Sequence, residues 1–165
     1  MSGEDFSVTD RYEMGAMAAM MRHPAVYWSA TDALAPQPEE MDFESHLAHP
    51  DTWTVAATFR GVIIGYIQFI KRTSVMAEIH TGFLPQFRGL IAKNFIKHCI
   101  GLAFTQKGLT KLCAMIPSDN KPAIYLARNI GFKEEGRLTK AVVRRVKDGP
   151  PLRDLVLLCL SRVKE

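Results

Sequence analysis

The sequence predicts a mixed α/β fold in which one sheet carries helices on both faces. Three observations lead to this class. Strand-like segments at 52–59 and 62–71 are joined by Arg60-Gly61, whose glycine supplies the positive φ of a tight hairpin. A third such segment at 75–84 runs straight into a long amphipathic stretch at 88–107. Two further strand-like segments, at 132–143 and 152–161, close the chain. Strands in direct succession argue against a doubly wound parallel sheet, which would alternate strand and helix throughout.

In chain order, Thr9-Asp10 is expected to cap a helix at 11–21, in which Met14, Met17, Ala18 and Met21 share one face. Pro24 ends it. The residues 23–40 read as a long loop carrying Tyr27, Trp28, Pro36 and Pro38, and loops of this length and aromatic content often form binding walls. A short helix is expected at 42–48, and its His46 and His49 have no third partner in sequence for a metal. The meander of three strands and the helix at 88–107 follow. A short strand at 111–116 then leads to a helix at 121–129, closed by Gly131 as a left-handed cap, with Phe132 opening the next strand. The last two strands are separated by a Lys-Asp-Gly-Pro-Pro turn at 147–151.

Composition sets the bounds. At 165 residues, with 47% apolar and 23% charged, the chain (1–165) reads as a single domain able to bury a core unaided. No apolar run approaches the roughly 18 residues of a membrane span, and no basic-then-apolar leader is visible, so a cytoplasmic protein without membrane attachment is expected. Cys99, Cys113 and Cys159 lie far apart in apolar stretches, as suits reduced core thiols. The net charge of +4 gathers at Lys71-Arg72, 93–97, 107–111 and 144–147. A solvated basic face or a polyanionic ligand explains this, whereas nucleic-acid binding would need basic residues interleaved with stacking aromatics.

Two segments carry chemistry. In AEIHTGFLPQFRGLIAK (77–93) a strand ends at Pro85 and a helix begins beyond Arg88-Gly89, an arrangement that aims unpaired helix amides at an anion. In IPSDNKPAIYLARNIGFKEEGRL (116–138), Asn120 stands eleven residues before Gly131-Phe132. Together, over roughly 54–162, they resemble the GNAT acyl-coenzyme A N-acyltransferase superfamily, nearest to its ribosomal-protein and N-terminal-amine branch.

The resemblance implies a mostly antiparallel sheet of about seven strands and acetyl-CoA as co-substrate. It places the coenzyme on Phe83, Leu84, Arg88, Gly89, Leu90, Ile91, Ala92 and Lys93, with Asn120 near the pantetheine arm. In that family the pyrophosphate loop reads R/Q-x-x-G-x-G/A. Here Ile91 and Lys93 stand where small residues are usual, and a β-branched side chain obstructs close approach of backbone to phosphate. The helical Tyr that many relatives use as an acid falls on Ala127; Tyr125, two residues earlier, projects about 200° away.

The resemblance also implies a base on the fourth strand. Glu78 and His80 lie two apart, so they share a strand face, and an imidazole titrates nearer neutrality than a carboxylate. Amides near Phe83 and Leu84 would polarise the thioester carbonyl. Tyr27 and Trp28 are the acceptor-side candidates. The expected activity is direct transfer of acetyl to a primary amine of a small molecule or protein, with no metal and no nucleic acid; a homodimer is possible through an exposed last strand. The departures at Ile91, Lys93 and Ala127 leave open a second reading, a scaffold without turnover serving as an interaction module, and a third, binding of acyl-coenzyme A as a regulatory ligand.

Overall fold

The computed structural model describes residues 5–145, 147 and 151–163. Its elements are β1 (Phe6–Thr9), α1 (Met14–Arg22), α2 (Pro24–Ala30), α3 (Phe43–Leu47), β2 (Thr52–Phe59), β3 (Val62–Lys71), β4 (Met76–Phe83), α4 (Leu90–Gln106), β5 (Lys111–Pro117), α5 (Lys121–Ile130), β6 (Lys133–Val143) and β7 (Leu152–Ser161). The strands form one sheet in the order β1-β2-β3-β4-β5-β7-β6. Only β4 and β5 are parallel; every other pair is antiparallel.

Two apolar layers sandwich this sheet. Helices α4 and α5 cover one face, where Phe95, Ile96, Cys99 and Ala103 meet Val55, Ile67, Ala77, Leu112 and Leu158. Helices α1, α2 and α3 cover the β2–β3–β4 half of the other, where Met17, Met21, Val26 and Phe43 surround Ala56 and Tyr66. The methionine stripe expected on the first helix is largely in place: Met17, Ala18 and Met21 are buried and Met14 is exposed.

The chain departs from the sequence expectations at four places. Thr9 belongs to β1, paired with Ala56, so it does not cap α1. The cap is Glu13, whose carboxylate accepts from the amides of Gly15 at 2.8 Å and Ala16 at 2.6 Å. The region 23–40 is not one loop. Pro24 opens α2, since a proline at the first helical position loses no hydrogen bond there, and His23 Nδ1 accepts from the amide of Ala25. Pro38–Glu40 adds a 3-10 turn. Cys113 and Cys159 oppose each other on β5 and β7 and are disulfide-bonded, so the expectation of three reduced thiols holds for Cys99 alone. Burial pushes the Cys99 thiol up to about 12.

At the β2–β3 hairpin, Arg60 and Gly61 both have positive φ (49° and 77°), as a two-residue primed turn requires. The turn expected at 147–151 lies mostly outside the described residues. His46 is structural: its Nε2 is 2.7 Å from Gln68 Oε1, and Gln68, fully buried, donates to Thr54.

Candidate active site

The site originates in a parting of strands. β4 and β5 pair only over Met76–Glu78 and Lys111–Cys113. Beyond that point they splay, and the antiparallel register dictates which groups of β4 face the gap. The amide of Leu84 donates to Ile64 O at 3.0 Å, which makes Gly65 and Phe83 a non-hydrogen-bonded pair. By alternation, the backbone groups of Ile79, Thr81 and Phe83 turn away from β3 toward the gap. Thus Phe83 N–H, and not that of Leu84, is placed to act as a donor. The gap opens into a cleft of about 750 Å³.

Two glycines shape its walls. The Phe83 ring lies over Gly65, where any side chain would collide with it. At Gly82 an added Cβ would stand 2.5 Å from Val26 Cγ1 and 2.6 Å from Tyr66 Cε1, so the missing side chain admits the Tyr66 ring and α2 to the cleft wall. Tyr66 is buried, and desolvation raises its hydroxyl to about 12.

The lower end of the cleft is the start of α4. Gly89 has φ +89° and ψ −128°, and nothing lies within 4 Å of where its Cβ would be, so bare backbone faces the cleft. No side chain caps this helix, leaving its first amides without partners at the positive end of a 17-residue dipole. Gly89, Ala92 and Lys93 line the cleft, while Ile91 packs against the core beneath α4 and Leu90 points to solvent. Ile91, the β-branched residue expected to obstruct this loop, is not among the residues that line the cleft. Arg88 is bound to its own chain: Nε donates to Phe83 O at 3.1 Å and Nη2 to Ala25 O at 2.6 Å, tying β4, the loop and α2 together.

Asn120 also serves the scaffold. Its Oδ1 accepts from the Ala123 amide as the cap of α5, and its Nδ2 donates to Ser29 O at 3.1 Å. Arg144 stitches the same corner, donating to Thr31 O, Ser29 O and the Asp119 carboxylate. Tyr27 lines the cleft with its hydroxyl donated to Pro36 O at 2.8 Å. Trp28 does not line it; its ring lies under Arg145, 3.8 Å from the guanidinium carbon.

His80 stands on the cleft wall, half exposed. Behind it, Glu78 Oε1 is 2.8 Å from His80 Nε2, while Glu78 Oε2 accepts from Arg72 Nε at 2.9 Å and Nη2 at 2.7 Å. The bond to His80 first, and the Arg72 bond with it, overcome the desolvation of a partly buried group and hold the Glu78 carboxyl at about 2. An ionised carboxylate only accepts, so Nε2 is the ring nitrogen that carries a proton, and in the neutral imidazole the lone pair lies on Nδ1. Arg72 was visible in sequence only as part of a basic pair, and nothing there linked it to Glu78; it meets a residue six positions further on because the chain turns between β3 and β4.

This geometry can be set against known proteins. A family model described as an acetyltransferase (GNAT) domain matches residues 6–133. The chain belongs to the GNAT acetyltransferase family. Solved structures share its fold from end to end. Spermidine N-acetyltransferase from Vibrio cholerae, in complex with CoA and spermine, superposes with a TM-score of 0.74 at 15% identity, covering 96% of each chain. Ribosomal-protein-S5-alanine acetyltransferase from Vibrio fischeri gives 0.70 at 16%, covering 98% of this chain and 95% of that one. The yncA protein of Salmonella typhimurium, solved with its cofactor acetyl-CoA, gives 0.71 at 18%, covering 97% and 95%. No curated protein matches in sequence. At these identities the likeness establishes the GNAT fold, with its seven-stranded, mostly antiparallel sheet, and leaves the chemistry to the residues. No helix among the described residues is long and apolar enough to cross a membrane.

Proposed function

We propose that this protein is an acetyl-CoA-dependent N-acetyltransferase acting on a primary amine by direct attack. The observation that carries the reading is the position of His80: on the wall of the cleft, at the splay of β4 and β5, backed by Glu78 and Arg72. Acetyl-CoA, when bound, supplies an activated thioester. The residues fit such a molecule: the bare backbone at Gly89, the unpaired amides of α4 and the Lys93 ammonium suit a pyrophosphate, and the Ile79, Thr81 and Phe83 edge of β4 suits an amide-bearing arm.

His80 Nδ1 takes the proton that the acceptor must lose, since an alkyl amine near pKa 10.4 is mostly protonated at neutral pH. Glu78 holds the ring in the tautomer that leaves Nδ1 open and stabilises the imidazolium that results. The Phe83 N–H is aimed at the gap and meets the negative charge that develops on the carbonyl oxygen. As the new C–N bond forms and the C–S bond breaks, the sulfur leaves as thiolate and takes up the second proton, which the nitrogen sheds on becoming an amide. A cytoplasmic setting belongs to this proposal.

The test is a calorimetric titration with acetyl-CoA at moderate salt, which screens mere attraction between a basic protein and a polyanion, followed by a thiol-release assay over a panel of amines. Saturable binding, and turnover that falls steeply in His80→Ala, support the reading. No binding at millimolar acetyl-CoA overturns it and leaves a GNAT scaffold used for contacts with other macromolecules.

A further inference from the structure

We infer that the acceptor is a monoamine carried on an uncharged, largely apolar body, and that polyamines are rejected. This rests on the acetyltransferase reading and concerns the other end of the same cleft, where α2 faces β3 and β4. Val26, Tyr27 and Tyr66 form its walls. The polar groups beside them are already engaged. Tyr27 donates to Pro36 O, Ser29 Oγ donates to Val26 O at 2.6 Å, and Thr31 Oγ1 donates to Tyr27 O.

Charge decides the matter. The ionisable side chains lining the cleft, among the described residues, are the bases His80, Arg88 and Lys93, together with tyrosines; no carboxylate lines it. The nearby carboxylates lie outside the lining and are engaged elsewhere: Glu40, whose charge is felt at the Tyr27 hydroxyl, accepts from the Gln37 amide at 2.7 Å. Glu78 holds Arg72 and His80, Asp119 holds Arg144 at 3.2 Å, and Asp32 accepts from the amides of Val143 and Leu34 at 2.8 Å each. A second or third ammonium entering this end would lose its water and meet no carboxylate in the lining, with the Arg144 guanidinium behind the same corner. An alkyl or aromatic body would lose only water that the apolar walls hold weakly. The Tyr66 hydroxyl makes no hydrogen bond to a described residue and stays protonated, so it is the group available to orient the acceptor nitrogen or a neighbouring polar atom.

The experiment uses conjugates in which coenzyme A is joined through an acetyl link to the nitrogen of hexylamine or to a terminal nitrogen of spermidine. Their affinities for the full chain are compared with that of coenzyme A alone, by calorimetry at moderate salt. The hexylamine conjugate is expected to bind about tenfold or more tighter than coenzyme A, from burial of its alkyl chain, and the spermidine conjugate no tighter. Tyr66→Phe should cut the gain of a tyramine conjugate about three- to tenfold. Met115→Glu, at a half-exposed position across the gap from His80, should give the spermidine conjugate an advantage it lacks in the parent. A spermidine conjugate that gains as much as the hexylamine one, or a hexylamine conjugate that gains nothing, overturns the inference while leaving acetyl transfer intact. Failure of coenzyme A itself to bind removes the acetyltransferase reading instead, and this inference with it.

Discussion

Glu78 Oε1 lies 2.8 Å from Nε2 of His80, two residues along the same strand, and the opposite oxygen of Glu78 is held by both Nε and Nη2 of Arg72. The two residues that the sequence offered as candidate bases, with the imidazole better matched to neutral pH, are therefore differently placed. A carboxyl held at about 2 has almost no tendency to take a proton at neutral pH, and its oxygens are occupied. His80 lines the cleft, and in the proposed mechanism it is the base that Glu78 positions.

This division predicts unequal mutational effects. His80→Ala should lower kcat about 10²–10⁴-fold, the range for loss of a general base. Glu78→Gln keeps the shape but lets the amide donate to Nε2, which selects the tautomer that blocks Nδ1. A smaller loss in kcat with KM for acetyl-CoA unchanged is expected, measured by steady-state kinetics. Equal losses for both variants would show that Glu78 itself removes the proton.

The same pair sets an acid limit. The folded-state pKa of Glu78 is depressed from 4.5 to about 2, so its ionised form favours the native state above the unfolded value. That contribution is complete above about pH 4.5 and is lost as pH falls toward 2. Thermal melts of the parent and Glu78→Gln should differ most at pH 6–7, with the parent more stable, and converge as the pH drops through this window. A constant difference across the range would mean that the Arg72–Glu78–His80 chain contributes nothing through ionisation.

Much of this architecture was legible in the sequence because local chemistry and tertiary packing agree there. The hairpin at Arg60-Gly61, β2, β3, β7 and the Gly131 cap fall where alternation and turn chemistry place them. Where local and long-range demands diverge, the sequence misleads. Thr9 is a good cap in isolation, yet pairing with Ala56 draws it into β1. The prolines at 24 and 38 read as breakers but open helical turns. In the site, the candidates Tyr27, His80, Phe83, Arg88, Gly89, Ala92, Lys93 and Asn120 all line one cleft, whereas Glu78, Leu84, Leu90, Ile91 and Trp28 do not. Tyr66 and Val26 reach it, and Arg72 reaches Glu78 behind it, through strand register, turn geometry and helix packing, which no spacing encodes. Gly82 was the available clue, since a glycine inside a strand marks a close approach by something else.

Gly89 allows a controlled test of the pyrophosphate site. Gly89 and Gly61 both have positive φ and open space at the Cβ position, so alanine strains the backbone at each by about 1–3 kcal/mol. Only Gly89 borders the cleft. Gly89→Ala and Gly61→Ala should lower Tm alike, but the first should raise the Kd for acetyl-CoA about tenfold and the second leave it unchanged. Equal Kd values for the two variants would place the pyrophosphate elsewhere.

Ile91 supplies the sharpest contrast between a motif and a structure. By the family pattern a small residue belongs in this loop, and Ile91→Ala would be expected to improve coenzyme binding. The structure gives the opposite expectation. The side chain is partly buried against the core beneath α4, and Gly89 and Ala92 already present the surface that a phosphate would approach. Truncating it removes packing and adds no room at the amides. Because Ile91 is only partly buried, the expected loss of stability is about 1–2 kcal/mol, at or below the lower end of the 2–5 kcal/mol range for buried Ile→Ala changes. The Kd for acetyl-CoA should stay the same or rise. Denaturant unfolding measures the first quantity and calorimetry the second. Tighter binding in Ile91→Ala would show that the side chain does obstruct the approach, and that the α4 amides are less open than the structure has them.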